Sequence, residues 1–208
     1  MKPKQSFNSA INDPVLEKII AAIPKPEIQS TGDVFHDLMS CVLEQQIHYR
    51  SSKKIFQKMM NKAGLTILSP DNFYLLEEKS FADLKLSAAK YNTIQAILNF
   101  WQQNKIDWNE LDDKDIIEKL SSIKGVGKWT IDMILLYTLN RPNIFPYDDF
   151  HLKQIMVHLY SLDTTSKLKA QMIEAANNWG EQKSLAVLYL LAWKALSKQA
   201  GHKNLLSV

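Results

Sequence analysis

Apolar residues recur at helical spacing along most of the chain. The segments Asp13–Ile23, Asp33–Gln46 and Arg50–Lys62 carry them every three or four positions, which predicts amphipathic helices. The prolines of the Pro24–Pro26 segment end the first of these helices, because proline lacks a backbone N–H donor. Further helices are predicted over Asp71–Glu78, Ala88–Gln103, Asp113–Leu120, Leu152–Leu159, Leu168–Ala176 and Ser184–Leu196.

The segment Trp129–Leu139 is apolar on nearly every side, which is typical of a buried central helix. No segment has a convincing β-strand pattern. Glycine and proline number 6 and 7 among 208 residues, which is too few for a turn-rich β architecture. The pattern therefore predicts a compact all-α protein of about ten helices, folded as one domain or as two lobes that share a cleft.

Charge and cysteine content limit the classes of partner and site. Lysine and arginine total 25 against 22 acidic residues, a net charge of +3, which permits a polyanionic partner without establishing one. Cys41 is the only cysteine, so an internal disulfide and a four-thiolate cluster are excluded. No apolar run approaches the roughly 18 residues of a membrane span. We therefore expect a soluble intracellular protein that binds no membrane.

Two glycines that flank one apolar residue lie between two predicted helices. In the segment Leu120–Thr130, the string Gly125-Val126-Gly127 follows Lys124 and precedes Lys128. Glycine accepts a positive φ and allows another backbone to approach closely, and the N–H groups that open the next helix attract a phosphate. An ordinary turn between two helices needs only one glycine. We therefore interpret this segment as a hairpin that binds a phosphate backbone without reading bases.

Adjacent carboxylates begin a predicted helix beyond the hairpin. Asp148 and Asp149 precede Leu152, where an aspartate commonly caps the first N–H groups of a helix. The helix dipole also favours the ionised carboxylate, the form that accepts a proton from water or stabilises a cation. Asp132 is a competing acid on the apolar helix, and its alternative role is a buried ion pair with a lysine or with Arg141. The residues alone leave structural and catalytic roles open.

The third predicted helix carries a basic face. Arg50, Lys54 and Lys58 share that face at i, i+4 spacing, and no acidic residue interrupts the segment Arg50–Lys62. This face is either a solvated helix surface or a strip that contacts phosphates.

Several motifs, in order along the chain, carry a resemblance to one family. The hairpin lies in Gly125–Tyr137, and the paired aspartates lie in Asn140–Leu152. Three shorter motifs accompany them: a Gln-Gln-Ile string in Leu43–His48, a Ser-x-x-Lys string in Leu86–Lys90 and a C-terminal tryptophan pattern in Trp179–Trp193. Together they resemble the helix-hairpin-helix/Gly-Pro-Asp superfamily of DNA glycosylases, and within it the AlkA-like 3-methyladenine DNA glycosylase II branch. The resemblance extends over residues 13–193.

The resemblance implies a reaction and a catalytic residue. The catalytic aspartate of the superfamily falls on Asp149, and Trp129 stands where lyase-competent relatives keep a lysine. The implied enzyme is therefore monofunctional, because without that amine water is the nucleophile and no imine forms with the sugar. It would extrude a nucleotide, bind a cationic alkylated base against an aromatic wall, and use Asp149 to stabilise an oxocarbenium-like transition state or to activate water.

The same resemblance distributes the remaining site residues. Trp129 is expected to form the aromatic wall, although an indole here also suits core packing. Gln46 is expected to fill the space that an extruded base leaves, or to be only a polar residue at a helix end. We assign the base pocket to Trp129, Met133, Asp132 and Phe35. We assign DNA contacts to Gly125, Val126, Gly127, Lys124, Lys128, Thr130, Gln46, His48 and Lys183.

Some positions depart from the branch. His48 replaces the usual serine, and Lys183 replaces an arginine, whose bidentate phosphate binding a lysine does not reproduce. Met133 stands where some relatives have an aromatic residue, and Asp132 stands where glutamate is common. These differences leave the range of lesions open.

The sequence thus predicts a two-lobed DNA glycosylase fold over residues 13–193. The hairpin lobe is expected at 34–140, and the second lobe is expected from the N-terminal helix and residues 150–208. The expected substrate is an alkylated purine, such as 3-methyladenine or 7-methylguanine, in duplex DNA. The alternatives are a glycosylase of the same fold for another lesion and a damage-binding protein without productive hydrolysis.

Partner, cofactor and location follow from this interpretation. We expect a monomer that acts on damaged double-stranded DNA, located with the nucleoid in the cytoplasm of a bacterium or in the nucleus of a eukaryote. No cofactor and no metal site are expected, and a monovalent cation at the hairpin carbonyls is left open.

Overall fold

The fold consists of helices and connecting loops arranged in two compact units. The computed structural model describes the backbone of residues 12–28, 30–44, 49–83 and 86–199, and no strand occurs in these ranges. The all-helical fold predicted from the sequence is confirmed. The first unit comprises residues 1–28 and 141–208, and the second comprises residues 29–140. None of the described helices is long and apolar enough to cross a membrane.

The helices follow the predicted segments closely. In chain order they are α1 Pro14–Ala22, α2 Val34–Glu44, α3 Tyr49–Ala63, α4 Phe73–Ser80, α5 Ala88–Gln103, α6 Asp113–Ser121, α7 Lys128–Met133, α8 Phe150–Leu159, α9 Leu168–Asn177 and α10 Lys183–Gln199. Short 3₁₀ turns occupy Pro70–Asn72, Phe81–Asp83 and Gly180–Gln182.

The second unit is built around α2, which contacts α3, α5 and α7. An aromatic cluster lies beside it: the Trp101 ring stacks on Trp108 with centroids 5.5 Å apart, and Phe35 and Phe100 approach Trp101 edge-on at 5.4 and 5.3 Å. Such rings contribute large apolar areas to a core. The cluster therefore anchors the N-terminal end of α2 to the C-terminal end of α5.

Buried His36 connects α2 to the loop after α3. Its Nδ1 accepts the backbone N–H of Leu68 at 2.9 Å, so the imidazole serves as an acceptor in its neutral form. Burial lowers the pKa of His36, and this effect is larger than the increase caused by the negative charges of Asp37 and Asp33. The neutral ring is thus part of the packed structure of the second unit.

In the first unit, α1 and α8 both pack on α10. Leu16 and Ile19 of α1 are completely buried, as are Leu152 of α8 and Ala186 and Leu190 of α10. Since α1 lies at one end of the chain and α10 near the other, this core joins distant parts of the sequence.

Side-chain caps fix where several helices begin. Asp13 Oδ1 accepts two N–H groups of the first turn of α1 at 3.0 Å. Asp112 accepts an N–H of α6 at 2.8 Å, and Ser87 accepts one of α5 at 3.3 Å. Each cap satisfies donors that the helix itself leaves open, which explains why these three starts agree with the sequence pattern.

The helix predicted over Trp129–Leu139 is not a regular α-helix throughout. It changes at Ile134 to a π-helical turn that extends to Thr138, and the Leu139 N–H donates to Ile134 O at 3.0 Å. A π-helical turn accommodates one extra residue. Because this segment is apolar on nearly every side, its hydrophobic pattern carries no signal for that insertion.

Candidate functional site

The hairpin predicted between two helices is present at the end of α6. The Val126 N–H donates to Ile123 O at 3.0 Å, which closes the turn, and the Val126 side chain is buried. Gly125 has a φ of +92°, a conformation that favours glycine. Gly127 is extended and is the N-cap of α7. The apolar residue between the glycines therefore fixes the turn to the core.

Gly125 is also required for space. A Cβ at this position would lie 2.0 Å from Thr93 Oγ1 and 2.9 Å from Thr93 Cβ. The Thr93 hydroxyl itself donates to Ala89 O within α5 at 3.0 Å. By contrast, a Cβ at Gly127 would meet nothing within 4 Å. The hairpin thus packs against α5 at one glycine and faces open space at the other.

The N-terminal end of α7 presents backbone donors. The first hydrogen bond of this helix runs from the Ile131 N–H to Gly127 O at 3.1 Å, so the N–H groups of residues 128–130 point toward its N-terminal end. The Thr130 side chain is only 1% exposed. The side chain is therefore buried in the core, which leaves the backbone N–H of Thr130 as its donor toward the hairpin. The predicted DNA contact of Thr130 stays a prediction.

The two lysines beside the hairpin differ in their environment. Lys124 is exposed. Lys128 forms an ion pair with buried Asp132, one helical turn later, with Nζ and Oδ2 2.5 Å apart. Asp132 is therefore a buried acid in an ion pair, as the structural alternative predicted, and the partner is Lys128. The Lys128 side chain remains 45% exposed, but a neighbouring carboxylate compensates its charge.

The other predicted pocket residues divide into core and partly exposed positions. Trp129 and Met133 are half-buried on α7. Phe35 is 3% exposed and packs edge-on against Trp101. A base-binding role for Trp129 and Met133 stays a prediction. For Phe35, the contact observed is with the core of the second unit.

Asp149 lies at the start of α8 in the first unit. Its Oδ1 accepts the Leu152 N–H at 2.7 Å, which makes it the N-cap of this helix. Asp149 is buried, with 8% of its surface exposed. Its neighbour Asp148 is exposed and pairs with Lys153 at 3.8 Å. The structure thus separates the two carboxylates: one is held at a helix N-terminus, and the other is on the surface.

The first residues of α10 form hydrogen bonds with the loop that precedes Asp149. The Ser184 hydroxyl donates to Arg141 O at 2.5 Å and accepts the Ile144 N–H at 2.8 Å. The Lys183 ammonium donates to Asn143 Oδ1 at 3.0 Å and to Gly180 O at 3.0 Å. Lys183 is half-buried, and its predicted DNA contact stays a prediction beside these two contacts within the protein.

The Ser-x-x-Lys segment has a structural contact as well. Lys90 Nζ donates to Leu43 O near the end of α2 at 2.8 Å, and burial lowers the pKa of Lys90. Gln46 and His48, which follow α2 in the sequence, lie outside the described residues, so their predicted DNA contacts stay predictions. On the basic face of α3, the side chain of Lys58 is exposed.

Within the described residues, no group of three or more His, Cys, Asp or Glu side chains is arranged to hold a metal ion. No role was predicted from the sequence for the side chains of Thr93, Asp13 and Tyr160, which the structure shows in specific contacts. Asp13 carried a signal, because an aspartate before a Pro-led helix commonly acts as a cap. The contacts of Thr93 and Tyr160 are long-range and leave no local pattern.

Comparison with known proteins identifies relatives of this chain. DNA-3-methyladenine glycosylase 1 of Schizosaccharomyces pombe is 27% identical over 135 residues, which cover 62% of this chain and 58% of that protein. A DNA-3-methyladenine glycosylase of Bacillus subtilis is 25% identical over 203 residues, which cover 91% of this chain and 66% of that protein. The chain therefore spans less than two thirds of the length of either relative.

The fold has known counterparts. The structure of an S. pombe 3-methyladenine DNA glycosylase in complex with abasic DNA matches with a TM-score of 0.70 at 22% identity, over 91% of this chain and 92% of that one. At this identity the match establishes the fold. A family model described as HhH-GPD superfamily base excision DNA repair protein matches residues 39–182. The chain belongs to this HhH-GPD superfamily of base excision DNA repair proteins.

Proposed function

We propose that the protein is a monofunctional DNA glycosylase that removes alkylated purines from duplex DNA. The observation that carries the proposal is Trp129, a half-buried indole placed directly after the hairpin lysine, where lyase-competent relatives keep a lysine nucleophile. Two relatives named as DNA-3-methyladenine glycosylases support the choice of lesion. The complex of a structural neighbour with abasic DNA supports DNA as the partner and an abasic site as the product.

The hairpin supplies DNA binding in this proposal. Gly127 leaves open space where a Cβ would stand, so a phosphate can approach the backbone N–H groups that open α7. The dipole of α7 adds partial positive charge, and the exposed Lys124 adds a full charge. Contacts of this kind fix the position of the DNA without selecting a sequence.

Trp129 and Asp149 are assigned to the reacting nucleotide. Alkylation at N3 or N7 makes a purine cationic, and the electron-rich face of an indole attracts a cation. The same alkylation makes the base a good leaving group, so the N-glycosidic bond breaks with its electron pair on the base. The sugar cation that develops is stabilised by the Asp149 carboxylate. Water then adds at the anomeric carbon and loses a proton, and the products are a free base and an abasic site.

Asp149→Asn tests this assignment. Asparagine retains an oxygen that caps the Leu152 N–H, so we expect normal folding and DNA binding. Because the negative charge is lost, we expect base release from DNA that contains 7-methylguanine or 3-methyladenine to fall by about a hundredfold or more. Released base and alkali-labile abasic sites are measured under single-turnover conditions.

Asp148→Asn is the matched control, since it removes the neighbouring exposed carboxylate and should retain activity. Equal release by wild type and Asp149→Asn would refute the assignment. Substrates with deaminated and oxidised bases separate the proposal from a glycosylase for another lesion. Binding to damaged DNA without release of any base would instead support a damage-binding protein.

A further inference from the structure

Backbone hydrogen bonds connect the residues from Phe145 to Asp149. The Tyr147 N–H donates to Phe145 O, and the Asp149 N–H donates to Pro146 O, both at 2.9 Å. These bonds form consecutive tight turns. Asp149 also caps α8 through the Leu152 N–H. A displacement of Phe145 is therefore transmitted to the Asp149 carboxylate.

Phe145 is held by Trp179. The two rings meet edge-to-face, with centroids 5.6 Å apart and planes at 85°. Trp179 follows α9 and is 1% exposed. A T-shaped contact depends on the relative orientation of both rings, so the orientation of the indole determines where Phe145 lies.

The orientation of Trp179 is determined in turn by Asp13. The Trp179 Nε1–H donates to Asp13 Oδ2 at 2.7 Å, and the Tyr160 hydroxyl donates to the same oxygen at 2.7 Å. Asp13 is 3% exposed. A buried carboxylate is costly unless donors surround it. The indole cannot turn without removing a donor from this charge, so the hydrogen bond selects one orientation.

We infer that Asp13 is a positioning residue for Asp149 and acts through Trp179 and Phe145. The inference rests on the proposed function only in treating Asp149 as the reacting carboxylate. A purely structural Asp13 would affect the amount of folded protein and leave its rate unchanged. A positioning residue lowers the rate of the chemical step in folded protein. DNA affinity should remain unchanged, because the hairpin belongs to the other unit.

Asp13→Asn tests the inference. The side-chain amide of asparagine introduces N–H donors where Asp13 presents only acceptors to the N–H and O–H groups around it. We expect the single-turnover rate of base release to fall by about tenfold to a hundredfold, with an unchanged Kd for abasic DNA. Ile19→Ala is the matched control, because it creates a cavity in the same helix without touching the Asp13 carboxylate. A rate for Asp13→Asn that equals the rate for Ile19→Ala overturns the inference.

Phe145→Leu provides a second route if Asp13→Asn does not fold. It breaks the ring contact and leaves the Asp13 hydrogen bonds in place, so we expect the same selective loss of rate. An unchanged rate in Phe145→Leu contradicts the inference.

A spectroscopic readout separates the inference from the proposed function. The Leu152 amide reports the position of the Asp149 carboxylate, to which it donates. We expect Asp13→Asn or Phe145→Leu to shift its NMR resonance and Ile19→Ala to leave it in place. If wild type releases no base, the proposed function fails, and this amide still decides the inference. An amide that does not move in either variant overturns it.

Discussion

The two glycines of the hairpin are required for different reasons. Gly125 has a left-handed backbone and no room for a Cβ, since Thr93 fills the adjacent space. Gly127 has an extended backbone and open space beside it. Gly125 is therefore required for packing within the second unit, whereas Gly127 lies on the surface that the proposed function assigns to DNA. Sequence alone treats them as equivalent.

Gly125→Ala is expected to destabilise the second unit by about 2 kcal/mol or more, because a left-handed alanine is strained and its methyl group overlaps Thr93. Urea denaturation measures the change. Thr93→Ala in the same chain removes the hydroxyl and methyl groups that overlap, so the double variant should recover part of the loss. Additive losses would contradict this account of the contact.

Gly127→Ala is the matched substitution in the same turn. We expect it to lose less stability than Gly125→Ala, because only a helix cap is weakened, and its DNA affinity to fall equally for all sequences. A loss of affinity that depends on base sequence would contradict a backbone contact.

At the scale of elements, α7 begins with a cation whose charge is compensated. Lys128 pairs with Asp132 on the same helix, whereas Lys124 is exposed before the hairpin. In the proposed function, the electrostatic attraction of DNA to the hairpin therefore depends mainly on Lys124 and on the backbone N–H groups that open α7.

The salt dependence of DNA binding tests this difference. Each phosphate contact contributes a slope of about −0.9 to the dependence of log affinity on log salt concentration. We expect Lys124→Gln to reduce the steepness by nearly that amount and Lys128→Gln to reduce it less. Lys114→Gln, at the far end of α6, serves as the control. A larger effect of Lys128→Gln would show that DNA displaces Asp132 from the ion pair.

The positions of the elements were largely predictable from the sequence, because caps and periodicity are local. Helix α5 occupies Ala88–Gln103, as predicted. The contacts of individual side chains were not predictable in the same way. Lys183 resembles a phosphate ligand in the sequence, and its contact with Asn143, 40 positions away, leaves no local pattern that could have predicted it. The catalytic role of Asp149 stays a prediction, because a helix cap and a catalytic acid use the same carboxylate.

At the scale of the whole molecule, a part-buried tyrosine hydroxyl links two distant segments of the first unit. Tyr160, directly after α8, donates to Asp13 before α1. Burial raises the pKa of Tyr160, and the hydrogen bond and negative charge of Asp13 raise it further. The folded protein therefore keeps this proton at pH values where the unfolded chain, with a tyrosine pKa of about 10, has lost it.

This pKa shift makes stability depend on pH in the alkaline range. The contribution of Tyr160 is fully present below about pH 10, and the free energy of unfolding falls as pH rises above that value. Tyr160→Phe should be less stable than wild type by about 1 kcal/mol at pH 8 because a hydrogen bond is lost. The difference should narrow by pH 11 in urea denaturation, since phenylalanine does not ionise. A difference in unfolding free energy that stays constant from pH 8 to pH 11 would contradict the raised pKa of Tyr160.

The discontinuity of the first unit affects how the protein is made. Residues 29–140 form one compact unit, while α1 precedes them and α8, α9 and α10 follow. A ribosome therefore completes the second unit before it has synthesised Trp179 or Ser184, and domains generally fold as they emerge. The partners of α1 are far away in sequence, so their association is expected to be slow. During synthesis, the hairpin would acquire its structure first, and the segment that carries Asp149 would be ordered last.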